Sequence, residues 1–526
     1  MSIIPVPISQ EAMPGRFTLP STVVITYASE RCAGVAEFAA ARLRERYGRT
    51  ATAQGTLLEG EGLGALHLVC EPADSLAALP HSDEAYELLV APGSCVLRAL
   101  EPHGLFNALQ SLLLLLPPRQ PPEGQDISIP GTKVLDGPRF QWRGALLDVG
   151  RHFFSVEFVK KFIDSLAMHK INVFHWHLTE DQGWRVEVNQ LKRLTEVSAW
   201  RTSDGGRSWY GGFYTQDEMR EIVAYAQERF IHVMPEIEMP GHCCASLAAY
   251  PQLCCSGQMS QVPTQWGVME TVYCAGNDEV FQFLETVLNE IIDIFPFGYI
   301  HIGGDEVPKT QWKQCEKCQE RMRQEGLENE GELQSWFLAR MNRFLVSKGR
   351  KLVGWDEILE GGLVPGATVM SWRGVRGGIL AAKMGHDVVM TPTSHCYFDY
   401  RQSANPQEPG CWYAMLPIEN VYDFDPIPET SSHGDEWSLA EEEQAHILGG
   451  QANVWTEYIS DEVTVEYMLL LRLCALAEAV WSRKDRKNWD DFRTRLTDHV
   501  KHLDAMGMRY RRLDDEADDV DAMSGE

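Results

Sequence analysis

Apolar positions along the first 136 residues switch between two periods. Residues 23–27 form a short β-branched run, 32–47 repeat apolar side chains at helical spacing, and 86–90 with 95–99 form two runs joined through Pro92-Gly93, the pattern of a hairpin. Residues 103–115 return to helical spacing, and 117–131, rich in Pro, Gly and charge, reads as a linker. This predicts a small mixed α+β domain over 1–136.

The texture then changes to short β-branched or aromatic runs alternating with longer helical patterns. Strands are predicted at 145–149, 173–178, 232–237, 299–303, 352–355, 368–372, 388–391 and 449–455. Helices are predicted near 156–169, 216–230, 279–295, 332–348, 374–384 and 461–481. Strand and helix alternating in this way predict an α/β fold, a (β/α)8 TIM barrel over 137–505. A doubly wound open sheet is the alternative. No G-x-G-x-x-G or P-loop pattern follows the first strand, which removes the usual support for nucleotide binding.

Charge narrows the partners. With 75 acidic against 47 basic side chains the chain carries −28, which disfavours nucleic acid and anionic membrane surfaces. Seven of the carboxylates lie in 514–526 without a cation, so residues 506–526 are expected to be an acidic, disordered tail. The thirteen cysteines are odd in number and include adjacent pairs at Cys243-Cys244 and Cys254-Cys255, unlike a disulfide framework. The longest apolar run, Leu112 to Leu116, is too short for a membrane span, and the start lacks a signal-peptide pattern. The expectation is a soluble, cytoplasmic protein, with a trimmed exported one as the alternative. Oligomeric state is not legible.

Barrel enzymes work from the C-terminal ends of their strands, and here those ends are dense in polar and aromatic residues. They read Asp148-Val149-Gly150-Arg151-His152, His175-Trp176-His177-Leu178-Thr179-Glu180-Asp181, Pro235-Glu236-Ile237-Glu238 through His242, and His301-Ile302-Gly303-Gly304-Asp305-Glu306. Later ends give Trp355-Asp356-Glu357, Trp372-Arg373, Tyr397-Phe398-Asp399 and Trp455-Thr456-Glu457. Tryptophans beside carboxylates suit a sugar, because flat rings stack on pyranose C–H faces while carboxylates and arginine bind hydroxyls. Adjacent Asp305 and Glu306 cannot both ionise freely, so one is expected to be raised in pKa as a general acid while its partner stays anionic.

His301 through Val307, together with His177-Leu178-Thr179-Glu180-Asp181-Gln182-Gly183-Trp184-Arg185, resembles the signature of family-20 glycoside hydrolases, the β-N-acetylhexosaminidases. The resemblance runs from about Arg143 to Trp481, and residues 1–136 resemble the small non-catalytic domain that precedes such barrels. It implies exo-acting, retaining hydrolysis of a terminal β-linked N-acetylglucosamine or N-acetylgalactosamine, in which the substrate's own acetamido oxygen is the nucleophile. By this resemblance Glu306 is the general acid and base, Asp305 orients the acetamido group and stabilises the oxazolinium, and Tyr397 hydrogen-bonds the acetamido oxygen. Trp355, Trp372 and Trp455 box the sugar. Arg151 and Glu457, with Asp399 a weaker candidate, hold its hydroxyls. Asp181 and His242 support the acid from behind, and His301 precedes the motif as a further supporting histidine. The second motif departs from the family's Asp-Asp pair in having Glu180-Asp181, and the role is assigned to Asp181 alone. No cofactor is implied.

Other readings stay open. A disaccharide-releasing lacto-N-biosidase-type enzyme of the same family would need a longer pocket, and a non-catalytic carbohydrate-binding barrel would keep the tryptophans without an acid. His175, His177, His242 and His301 could be read as metal ligands, but their aromatic context favours packed histidines. Cys315-Glu316-Lys317-Cys318 is a lone C-x-x-C with no evident partner pair, so zinc is not expected there.

Overall fold

The computed structural model describes residues 3–55, 65–122, 125–203, 205–362, 364–428 and 437–513. The expected acidic tail at 514–526 lies outside them.

The N-terminal unit is a seven-stranded sheet in the order Ser9–Thr18, Ser128–Asp136, Tyr86–Ala91, Ser94–Ala99, Leu66–Cys70, Thr22–Tyr27, Thr50–Gly55. The hairpin and both predicted helices, Ala33–Tyr47 and Pro102–Leu115, are present. Pro102–Leu115 is buried on nearly every side, because the sheet covers one face and the barrel the other; its Phe106 ring lies 5.4 Å from Phe230. That accounts for a helix apolar all round. The predicted linker is shorter than its composition suggests. Residues from Ser128 onward join the sheet, pairing antiparallel with both Ser9–Thr18 and Tyr86–Ala91.

The second unit is a closed barrel of eight parallel strands: Trp142–Asp148, Val173–His177, His232–Glu236, Tyr299–His301, Lys351–Trp355, Thr368–Ser371, Val388–Met390 and Ile447–Val454. Each contains or overlaps a predicted strand, and closure excludes the open sheet. Most of their side chains are buried, since helices cover one face and the barrel interior the other. The interior is layered. Trp142, Leu146, Met234, Val353, Met370, Val389 and Leu448 fill the lower part with apolar volume, and polar side chains take over toward the strand ends.

The predicted helix at 461–481 is two helices, Glu462–Leu469 and Arg472–Trp481, broken where Leu471 enters the left-handed region at φ 68°. Buried Arg472 explains the break. Its guanidinium donates to the carbonyls of Phe398, Tyr400, Leu416 and Met468, anchoring the loop that carries Tyr397 and Asp399.

Buried ion pairs join the two units beneath the barrel, Lys170 with Asp136 at 3.3 Å and Arg143 with Glu84. Arg143, on the first barrel strand, pairs with Glu84 of the N-terminal unit and donates to the carbonyls of Phe140 and Lys170 at 2.8 Å each. Asn172 donates a further bond of 3.2 Å to Glu84. Burial opposes the Glu84 charge, yet Arg143 and His103 hold its carboxyl below the usual range. Removing one partner strands the other charge in an apolar interior. Glu84→Ala is predicted to lower unfolding free energy by about 3–5 kcal/mol, measured by urea denaturation, and Arg143→Met in that background to recover part of the loss.

Candidate active site

The fourth barrel strand, Tyr299–His301, ends in Gly303 at φ 69° and Gly304 at φ 92°, and Glu306 follows at φ 45°. This turn sends two consecutive carboxylates into one pocket. Gly303 admits no substitute, because a Cβ there would lie 1.7 Å from Glu238 Oε2. A left-handed glutamate is uncommon, and such strain persists where surrounding structure imposes it.

His242 stands behind both carboxylates. Its Nε2 lies 3.5 Å from Asp305 Oδ2 and 3.5 Å from Glu306 Oε2. Its Nδ1 lies 2.9 Å from Glu180 Oε1 and 3.4 Å from Asp181 Oδ2. Both acids of the motif thus meet His242, Glu180 at the shorter distance. Glu180 also meets His177 Nε2 and Arg151, each at 3.1 Å, and accepts the Asp181 N–H at 2.8 Å. Asp181 Oδ1 accepts the Cys244 N–H at 2.9 Å, so its carboxylate fixes the loop that bears His242.

One layer deeper, Glu236 is surrounded by nitrogen. His177 Nδ1 is 2.5 Å away, His301 Nδ1 2.7 Å, Trp355 Nε1 2.9 Å and His175 Nε2 3.0 Å. His301 thus meets Glu236 rather than Asp305 or Glu306. His175, Glu236 and His301 lie close enough to hold a cation, but all are fully buried beneath Trp355 and line no part of the pocket. An ion there would not reach substrate.

The pocket has a volume of about 320 Å³. That lies at the small end of ligand sites, about 300–1,000 Å³, and suits one sugar unit. Glu306, Asp305, Tyr397, Arg151, Trp355, Trp372, Asp399, Trp455, Glu457 and His242 all line it; Asp181 and His301 do not. The aromatic wall is continuous: Trp355 and Trp455 centroids are 5.7 Å apart, Trp455 and Tyr397 6.4 Å, and Tyr397 stacks on Trp372 at 6.1 Å. Arg151 lies over Trp455 at 5.2 Å and 3.6 Å from Glu457. Among the described residues, Asp305 Oδ1 and Asp399 Oδ1 are buried polar atoms without a hydrogen-bond partner. Both belong to pocket residues, as binding groups for a polar ligand would.

Glu238, Trp266, Val268, Tyr413 and Tyr458 also line the pocket and were not singled out from sequence. Glu238 stood in a strand-end motif and was legible. Trp266 sits in an irregular loop held by its neighbours, with Arg201 5.1 Å from its centroid and Gln182 donating to the Gln265 carbonyl at 2.8 Å, and no local pattern marks it.

The electrostatics order the two carboxylates opposite to the family roles. Burial pushes Asp305 up to about 7, despite His242 and with Glu236 and Glu306 adding to it. The hydrogen bond to His242 lowers Glu306. Against the cost of burial, Glu180 and Asp305 hold His242 protonated well above its ordinary range. Of the two, Asp305 is thus the one whose neutral form the free site favours. Gly303→Ala is predicted to cost about 1–2 kcal/mol through its backbone alone and to displace Glu238, so both the urea midpoint and kcat should fall.

Residues 140–484 match the family model "Glycosyl hydrolase family 20, catalytic domain", and 1–137 match that family's domain 2. A β-hexosaminidase of Porphyromonas gingivalis is 42% identical over 514 residues, covering 97% of this chain and 64% of its own length. The chain thus spans somewhat less than two-thirds of that relative. A β-hexosaminidase of Akkermansia muciniphila is 35% identical, covering 80% of this chain and 84% of its own. Among solved structures, the exo-β-N-acetylglucosaminidase of Vibrio harveyi in complex with N-acetylglucosamine superposes with a TM-score of 0.87 at 32% identity, covering 97% of this chain and 78% of that one. With the barrel and its preceding domain both matched, the chain belongs to glycosyl hydrolase family 20.

Proposed function

We propose that the protein is a β-N-acetylhexosaminidase that removes one terminal, non-reducing β-linked N-acetylglucosamine or N-acetylgalactosamine from an oligosaccharide or glycoconjugate, with retention of configuration. The Asp305-Glu306 turn carries this reading. It presents two carboxylates to a pocket walled by Trp355, Trp372, Trp455 and Tyr397, and one Asp305 oxygen has no partner within the protein. The sequence match to named β-hexosaminidases supports it.

The sugar ring packs on the aromatic wall, and Arg151, Asp399 and Glu457 hold its hydroxyls. Glu306 donates its proton to the glycosidic oxygen as the acetamido carbonyl oxygen attacks the anomeric carbon, and the bond to the leaving group breaks. Asp305 accepts the acetamido N–H and offsets the positive charge that develops on the oxazolinium ring. The Tyr397 hydroxyl donates to the acetamido oxygen. Glu306, now a carboxylate, takes a proton from water as that water attacks the same carbon and the ring reopens. Two inversions give net retention.

The proton must start on Glu306, whereas the free site favours the neutral form of Asp305. Substrate reverses the order. An N–H donated to Asp305 favours its anion, and the leaving sugar covers the exposed side of Glu306, which favours its neutral form. The pair titrates as a unit, and its singly protonated state is the active one. Because loss of that proton is set by Asp305 at about 7, kcat/KM is predicted to fall as pH rises through about 7. In Asp305→Asn the remaining proton belongs to Glu306, which is lowered by His242, so the alkaline limb should move to lower pH while the maximum drops. An unmoved limb would assign it to another group.

The function itself is tested by nitrophenol release from the β-N-acetylglucosaminide and, at equal concentration, from the β-glucoside that lacks the acetamido group. Turnover of the first with essentially none of the second is expected, and its loss in Glu306→Gln. Comparable turnover of both would contradict the mechanism, and turnover of neither would favour a binding barrel or a disaccharide-releasing enzyme.

A further inference from the structure

The C-x-x-C that the sequence set aside for want of partners finds them in the fold. Cys255 and Cys274 come from the irregular segment after the third barrel strand, and Cys315 and Cys318 from the segment after the fourth. The four sulfurs all lie within 4.8 Å of one another. Cys274 Sγ is 3.6 Å from Cys318 and 3.7 Å from Cys315, and Cys255 Sγ is 3.8 Å from Cys318. Zinc–sulfur bonds of about 2.3 Å give a tetrahedral sulfur–sulfur edge of about 3.8 Å. A disulfide joins two sulfurs; here Cys274 and Cys318 each have two sulfur neighbours, and all four cysteines are free.

The surroundings suit thiolates. Cys315 is the N-cap of the helix Glu316–Glu325 and Cys318 lies in its first turn, where the helix end favours negative charge. Only glycine fits at 276, since a Cβ would lie 2.2 Å from the Lys317 carbonyl carbon and 2.5 Å from the Cys318 nitrogen. Cys274 and Cys318 are fully buried.

We propose that Cys255, Cys274, Cys315 and Cys318 bind a structural zinc ion that pins the base of the 255–274 segment. Zinc binds four thiolates and releases the thiol protons, leaving a closed site without an open position for chemistry. Its consequence is mechanical. The tip of that segment, Trp266 to Val268, lines the sugar pocket, and the other pair of cysteines follows Asp305 and Glu306. Zinc ties the wall of the pocket to the loop that carries the reacting carboxylates.

Metal analysis of untagged full-length protein, purified without chelator from zinc-supplemented medium, is predicted to find about one zinc per chain, released when a mercurial titrates the thiols. Cys255→Ser and Cys318→Ser should each lose it. Should those variants fail to fold, cobalt substitution in the wild type decides: thiolate-to-cobalt charge-transfer bands in the near ultraviolet with tetrahedral d–d bands in the red are expected. Protease should cut the zinc-depleted protein within 255–274 and spare the loaded form; equal cutting would overturn the pinning role. Wild-type protein free of zinc with these cysteines open to alkylation, a disulfide among them, or stoichiometric iron in zinc's place would each overturn the assignment. None of these readouts depends on the glycosidase reaction.

Discussion

A carboxylate buried at the centre of the barrel constrains everything above it. Glu236 is fully buried, and stays ionised because three imidazoles and the Trp355 indole N–H surround it. Burial opposes charge on His177, yet Glu236 and Glu180 hold that imidazole protonated up to about 10. His177 then hands the alternation to Glu180, and Glu180 to Arg151 and His242. Each of these buried charges is offset by the next, which holds the side chains in place relative to one another. Asp305 and Glu306 sit at the open end of this lattice.

In the proposed mechanism this arrangement makes a short turn the reaction centre. The lattice fixes His242, His242 fixes the two carboxylates, and Glu236 also orients Trp355 in the wall that receives the sugar. Binding groups and reacting groups are thus held by one set of charges. The N-terminal unit contributes from below, where Glu84 closes the first strand through Arg143. Arg472 contributes from outside, where it gathers the loop of Tyr397 and Asp399.

Much of this was legible in the chain, for physical reasons. Parallel barrel strands are buried on both faces, so each reads as a compact apolar run, and all eight were found. Edge strands such as Ser9–Thr18 are polar and mostly exposed, carry no such run and were missed. Strand-end motifs named the residues that meet in the pocket, but not the order of support behind them. Glu180 was passed over for Asp181, although its longer side chain is what reaches His242, His177 and Arg151 together. The position of the proton in the free site depends on burial and on His242, neither of which is local in sequence. The same holds for the cysteines: Cys274 and Cys315 are 41 residues apart and meet only because two neighbouring barrel loops fold side by side.

In the proposed mechanism the lattice presents Asp305 so that the substrate's acetamido group serves as nucleophile. Replacing the acetyl methyl by mono-, di- and trifluoromethyl groups weakens that carbonyl oxygen stepwise while changing its size little. Measuring kcat/KM across the series tests the claim most directly. A steep, monotonic fall with each fluorine is predicted. A flat series would mean that the acetamido oxygen forms no bond in the transition state, and would contradict the account.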